Sequence, residues 1–145
     1  MMVTGLSHIT FVVKSLERSA PILHYVLGAK EVYSSGCKTF SIAKEKFFLL
    51  GDLWVCLMVG EPSAMRNYSH VVLKIDEESI EPALEKIRFL GLEIKPDRPR
   101  VEGEGRSIYF YDFDDNLFEL HTGTLDERLK RSKNRRALLT KYALL

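Results

Sequence analysis

Two histidines stand at matching places in this 145-residue chain: His8 closes "LSH", His70 closes "YSH", and each opens a stretch of alternating character. Glu119 is out of keeping with its surroundings, the apolar run "NLFELHTG". A carboxylate in an apolar strand needs a partner, because an unpaired buried charge is costly. Neutral imidazoles are the commonest metal ligands. Two of them with one carboxylate make a facial site that leaves positions of a divalent cation open. His121 falls on the Glu119 side by strand alternation. It reads as support or packing behind the ligands, with ligation as the alternative. His24 falls in a helical pattern and is expected at the surface.

The elements that must position these residues occur twice. "LSHITFVV" alternates like a strand, and Leu16, Leu23, Val26 and Leu27 then form one apolar helical face closed by Gly28. "YSHVVLKI" repeats the strand. "SIEPALEKIRFLG" repeats the helix, with Ile80, Ala83, Leu84, Ile87 and Leu90 before Gly91. Each helix carries a proline, Pro21 or Pro82, which fits if both lie in first turns. Strands are expected at "KEVYSS", "TFSIA" and "FFLLGDLWVCLMVG" in the first half, and at "LEIKP", "RSIYFYD" and "NLFELHTG" in the second. The fold class is therefore α+β, with two βαβββ units over about 3–60 and 67–123. Neither unit can bury its sheet alone, so the two should combine. Together they form one domain over residues 1–131, and a basic tail covers 132–145.

Superposing the halves tests the idea of a ligand set. Setting "GDLWVC" on "DNLFEL" places Leu53 on Leu117, Trp54 on Phe118 and Val55 on Glu119. The first half thus offers an apolar residue where the second offers a carboxylate, and the missing ligand leaves room for substrate or water.

Bulk properties narrow the classes. The chain is 46% hydrophobic and 28% charged, enough to bury a real core. No apolar run nears the roughly 20 residues of a membrane span, and the N-terminus lacks the layout of a signal peptide. The cytoplasm is therefore the expected compartment. Cys37 and Cys56 form no zinc-type pair and read as reduced thiols. Seven Lys or Arg against Asp126 and Glu127 follow residue 123, although the whole chain is only +1. That tail reads as a solvated helix or frayed end. No aromatics interleave with its charges, so it does not point to nucleic acid.

The paired units with "GLSHITFVV", "YSHVVLKI" and "LFELHTGTL" resemble the vicinal oxygen chelate superfamily, which includes glyoxalase I and the fosfomycin-resistance enzymes. "KPDRPRVEGEGRSIYFYDFDDNLFELHTGTLDERLKR" is most similar to the FosX type, metal-dependent hydrolases of the fosfomycin epoxide. The resemblance spans about residues 3–131. It implies that His8, His70 and Glu119 hold Mn²⁺ and that Glu45 is the general base. It places Thr10, Ser107, Tyr109 and Arg128 against the phosphonate or the epoxide oxygen, and makes Trp54 a pocket aromatic. One of Arg98 and Arg100 would supply a further cation. It also implies a homodimer with exchanged halves, in which His8 and the His70/Glu119 pair come from different chains.

Taken without the resemblance, Glu45 in "AKEK" reads as a solvated turn, Arg128 as a tail charge balancing Glu127, and Ser107 and Tyr109 as neighbours on one strand face. The expected reaction is addition of water to fosfomycin to give a diol. A thiol transferase on the same scaffold, a drug-sequestering binding module, and an epoxide hydrolase or isomerase with another substrate are the alternatives.

Overall fold

The structure, a computed structural model, describes residues 2–39, 42–96 and 103–142, with side chains described as far as residue 134. The first half runs β1 (His8–Val13), α1 (Leu16–Pro21), β2 (Lys30–Ser34), β3 (Glu45–Leu50) and β4 (Leu53–Val59). The second runs β5 (His70–Lys74), α2 (Ile80–Phe89), β6 (Glu93–Lys95), β7 (Ser107–Tyr111) and β8 (Leu117–His121), and α3 (Leu125–Tyr142) ends the chain. Two four-stranded sheets result, ordered β1-β4-β3-β2 and β5-β8-β7-β6. In each, the first and last strands of the unit pair in parallel and the other pairings are antiparallel. The expected α+β architecture of paired βαβββ units is the one adopted.

Local chemistry explains several helix ends and two departures from expectation. Ser15 caps α1, its Oγ accepting the Arg18 N–H at 3.2 Å. Gly28 and Gly91 follow the two helices with φ of 72° and 69°, the left-handed geometry that only glycine adopts freely. Pro82 is the third residue of α2, where a missing N–H is harmless. Pro21, however, is the sixth residue of α1, outside the first turn. Its absent N–H interrupts the α-helical ladder, and residues Ile22–Val26 continue as a π-helical turn. The expected strand "TFSIA" is not found among its described residues, which form no strand. The unit keeps its strand count because "EKFFLLGDLWVCLMV" is two strands, β3 and β4, joined by a Gly51–Asp52 turn.

One face of each sheet and both helices build a shared core. Phe11, Val13, Phe48, Val55 and Leu57 enter it from the first sheet, and Ile108, Phe110, Phe118 and Leu120 from the second. The Phe11 and Phe118 rings meet at 4.7 Å across the boundary. The acid turn after β7 adds polar links. Asp114 accepts the Lys14 N–H at 3.2 Å, and Asn116 Nδ2 donates to the Val12 carbonyl at 3.4 Å. The opposite face of each sheet stays out of the shared core and carries the polar residues singled out above. Among the described residues, no helix is long and apolar enough to cross a membrane.

Candidate active site: two half-sites on one chain

The open face of the second sheet holds His70, Ser107, Tyr109, Glu119 and His121, because the β7–β8 and β5–β8 registers put Ser107 opposite His121, Tyr109 opposite Glu119 and Val72 opposite Glu119. His70 Nδ1 lies 2.7 Å from the Tyr68 carbonyl, which can only accept, so Nδ1 carries the hydrogen. In the neutral ring Nε2 then bears a lone pair, yet it faces Glu119 Oε2 at 3.0 Å. Two electron pairs at that distance call for a shared cation, either a proton or a metal.

Glu119 is held from its other side. Ser107 Oγ donates to Glu119 Oε1 at 2.5 Å and lies 2.7 Å from His121 Nδ1. Burial pushes the Glu119 carboxyl up, but contacts with Ser107 and Tyr109, then the His121 and His70 rings, bring it below the ordinary carboxylate value. The Tyr109 phenol is pushed well above its usual value by burial, and further by Glu119 and Tyr68. Tyr68, His70, Val72, Tyr109, Glu119, His121 and Arg128 line a pocket of about 300 Å³, the lower end of the range for small-molecule sites. Arg128 reaches it from the first turn of α3. Glu127 has a different task from balancing Arg128: its Oε2 accepts the Thr124 N–H at 2.7 Å while its own N–H donates to Thr124 Oγ1 at 3.3 Å, a capping box.

The open face of the first sheet gathers His8, Thr10, Glu45, Trp54 and Cys56. Glu45 is no solvated turn. It opens β3 with 9% of its surface exposed, and its N–H donates to Ser35 Oγ at 3.0 Å. Its charge, after burial, raises the Cys56 thiol above the usual value, which a Thr10 hydrogen bond partly offsets. The His8 ring lies on Trp54 at 4.2 Å, and Phe47 packs edge-on against the same indole at 5.0 Å. Trp54 Nε1 is buried without a hydrogen-bond partner among the described residues.

The sheet registers correct the superposition of the halves. His8 pairs with Trp54 and His70 with Leu117, so the matching partners two residues on are Cys56 and Glu119. Val55 instead pairs with Ile9 and sits in the core. A slip of one residue moves a strand side chain to the other face, and the sequence superposition carried that slip. The true counterpart of the ligand carboxylate is a thiol. By the same register Glu45 matches Ser107, Phe47 matches Tyr109, and Met58 matches His121.

The candidates therefore fall into two groups. His70, Ser107, Tyr109, Glu119 and Arg128 come together, as do His8, Thr10, Glu45 and Trp54. Within one chain, the described residues contain no group of three His, Cys, Asp or Glu able to share a metal, so His8 does not join His70 and Glu119. Arg98 and Arg100 lie outside the described residues. Sequence reasoning missed Tyr68 and Cys56. The signal for Tyr68 was alternation, since it stands two residues before His70 in "YSH"; the signal for Cys56 lay only in the register.

The donor set fits a divalent cation, since the facing His70 imidazole and Glu119 carboxylate can share one between them. The chain belongs to the Glyoxalase/Bleomycin resistance protein/Dioxygenase superfamily, whose family model matches residues 5–120. Over 130 residues, 90% of this chain and 98% of that protein, it is 56% identical to the fosfomycin resistance protein FosX of Listeria monocytogenes. A crystal structure of a FosX variant from the same organism, complexed with Mn(II) and 1S,2S-dihydroxypropylphosphonic acid, matches with TM-score 0.82 and 52% identity over 90% of this chain and 99% of that one. The metallothiol transferase FosB of Shouchella clausii is more distant, 33% identical over 88% of this chain and 86% of that protein.

Proposed function

We propose that this chain is a Mn²⁺-dependent hydrolase that adds water to the epoxide of fosfomycin, giving a diol and conferring resistance. The observation that carries this reading is the placement of residues on the two open faces: a facing imidazole–carboxylate pair, His70 and Glu119, on one and a buried carboxylate, Glu45, on the other. The 56% identity to FosX supports it, as does the Mn(II)- and diol-bound relative, whose ligand is what water addition to fosfomycin would yield.

His70 and Glu119 would hold the metal, with His8 as third ligand. Bound Mn²⁺ supplies Lewis acidity at the epoxide oxygen. The remaining work falls to the chain. Glu45 takes a proton from water as the water oxygen bonds to the carbon next to phosphorus and the ring C–O bond breaks. The released alkoxide takes a proton from solvent to end as a hydroxyl, and Glu45 returns its own proton to solvent. Proton removal of this kind is worth roughly two to four powers of ten in rate. Thr10, Tyr109 and Arg128, with Arg98 or Arg100, clamp the dianionic phosphonate, Trp54 walls the pocket, and Ser107, expected among the clamps, gives its one hydroxyl proton to Glu119 instead. Fixed donors and cations supply orientation as well as affinity.

The ligands sit on the open faces of two different sheets, so a complete site calls for a second copy. The reading is a cytoplasmic homodimer in which the first unit of one chain closes on the second unit of the other. The deciding experiment is incubation with Mn²⁺ and fosfomycin in the absence of thiol, followed by ³¹P NMR. Diol should form. Intact drug there, with an adduct appearing once glutathione, bacillithiol or cysteine is added, would move the chain to the transferases.

A further inference from the structure

We infer that His121 is a positioning residue that acts on Glu119 through Ser107. The inference rests on the metal-binding role proposed for Glu119, and its argument is one of proton positions. A carboxylate only accepts, so the 2.5 Å contact between Ser107 Oγ and Glu119 Oε1 directs the single hydroxyl proton at Glu119. Among the described residues, that hydroxyl has one other close neighbour, His121 Nδ1 at 2.7 Å. If Nδ1 were bare, the hydroxyl could turn and donate to it instead. It is not bare, because Nδ1 also lies 3.1 Å from the Arg106 carbonyl, which can only accept. Nδ1–H is thus shared between the Arg106 carbonyl and Ser107 Oγ, and the Ser107 proton has Glu119 as its outlet.

The ring is fixed in place by backbone. A Cβ on Gly123 would lie 2.7 Å from His121 Nε2, so glycine there makes room for the imidazole. Thr122 N–H donates to the same Arg106 carbonyl at 3.0 Å, which holds β7 and the end of β8 together beside the ring. Ser107 and Glu119 are 9% and 7% exposed, a setting in which chained hydrogen bonds reinforce each other. The relay anchors Oε1 and leaves Oε2 turned towards His70. The first half has no equivalent, since Glu45 and Met58 occupy the matching places.

The test reads Mn²⁺ affinity, from the EPR signal of free Mn²⁺, for the full-length chain in its native assembly. Partners behind metal ligands are typically worth about 10- to 100-fold in affinity. His121→Ala and Ser107→Ala should each weaken binding by at least about tenfold, and the double variant should be no weaker than Ser107→Ala alone, the signature of one path. His121→Asn, whose amide N–H can occupy the Nδ1 position, should stay within about threefold of wild type, whereas His121→Gln should behave as His121→Ala. Circular dichroism checks each fold, and the Asn/Gln pair decides the matter if the alanine variant does not fold. Unchanged affinity in His121→Ala, multiplying losses in the double variant, rescue by Gln but not Asn, or a wild type that binds no Mn²⁺ would each overturn the relay. A chain that follows the expected pattern yet opens no epoxide keeps the relay and removes the hydrolase reading.

Discussion

The two sheets share strand order and pairing, and the register of their pairings apart from a bulge in β2, yet their open faces carry opposite chemistry. At matching positions the first face has Glu45, Phe47, Cys56 and Met58, and the second has Ser107, Tyr109, Glu119 and His121. Only the histidines, His8 and His70, are common to both. The second face surrounds one buried carboxylate with donors, bringing it below its ordinary pKa and readying it for a cation. In the first face a thiol stands at the place matching Glu119, and the buried carboxylate, Glu45, lies instead on the inner strand β3. The two units share one scaffold but differ at these four matched positions, and under the proposed reading that difference separates metal binding from base catalysis. Under that reading each chain holds the parts of two incomplete sites, which is why a second chain enters the proposed one.

The largest expected effect tests that division directly. Homodimers of His8→Ala or of Glu119→Ala should lose essentially all turnover. Mixed after joint refolding, they should regain about a quarter of wild-type activity, because half the dimers are mixed and each has one intact site if halves are exchanged. No recovery would place all ligands of a site on one chain. Glu45→Gln comes next: turnover should fall by roughly two to four powers of ten while Mn²⁺ affinity stays near wild type. Unchanged turnover takes Glu45 out of the mechanism.

Cys56→Glu makes the two faces more alike by restoring a carboxylate at the position matching Glu119. A fourth protein ligand would fill a place needed by substrate, so turnover should fall by about tenfold or more with Mn²⁺ binding kept. Turnover within twofold of wild type would show that the thiol position does not face the metal. The smallest effect concerns acid stability. A carboxyl held below its unfolded pKa adds stability that is fully present above the unfolded value and is lost as pH falls through the folded one. Metal-free wild type should therefore lose melting temperature with acid in that window, and Glu119→Gln should lack that share of the loss. Parallel melting curves for the two proteins would show that Glu119 gives no such linkage.

The sequence made much of this legible because the repeat is short and strongly patterned. Alternation around His8 and His70, and the helices ending at Gly28 and Gly91, fix two βαβββ units from local preferences alone. Alternation also put His121 on the Glu119 side. Less was legible where the answer depended on pairing between strands. Setting Val55 on Glu119 was reasonable by residue similarity, but similarity cannot see a register, and Cys56 takes that place only because β1 pairs His8 with Trp54. Charge pattern misplaced Glu45 in the same way. Flanking lysines suggest a wet turn, whereas strand pairing and Ser35 draw its backbone into β3.

What the sequence by itself determined, then, is the set of elements and the presence of two imidazoles and a carboxylate suited to a cation. Those follow from residue type and period, which are properties of neighbours along the chain. Only the tertiary structure decided which of these residues meet. It put His70 against Glu119, gave Glu119 its Ser107 and His121 support, and left His8 with Glu45 on a separate face. Contacts between residues dozens of positions apart depend on register and on which sheet faces enter the shared core, and a linear pattern carries neither.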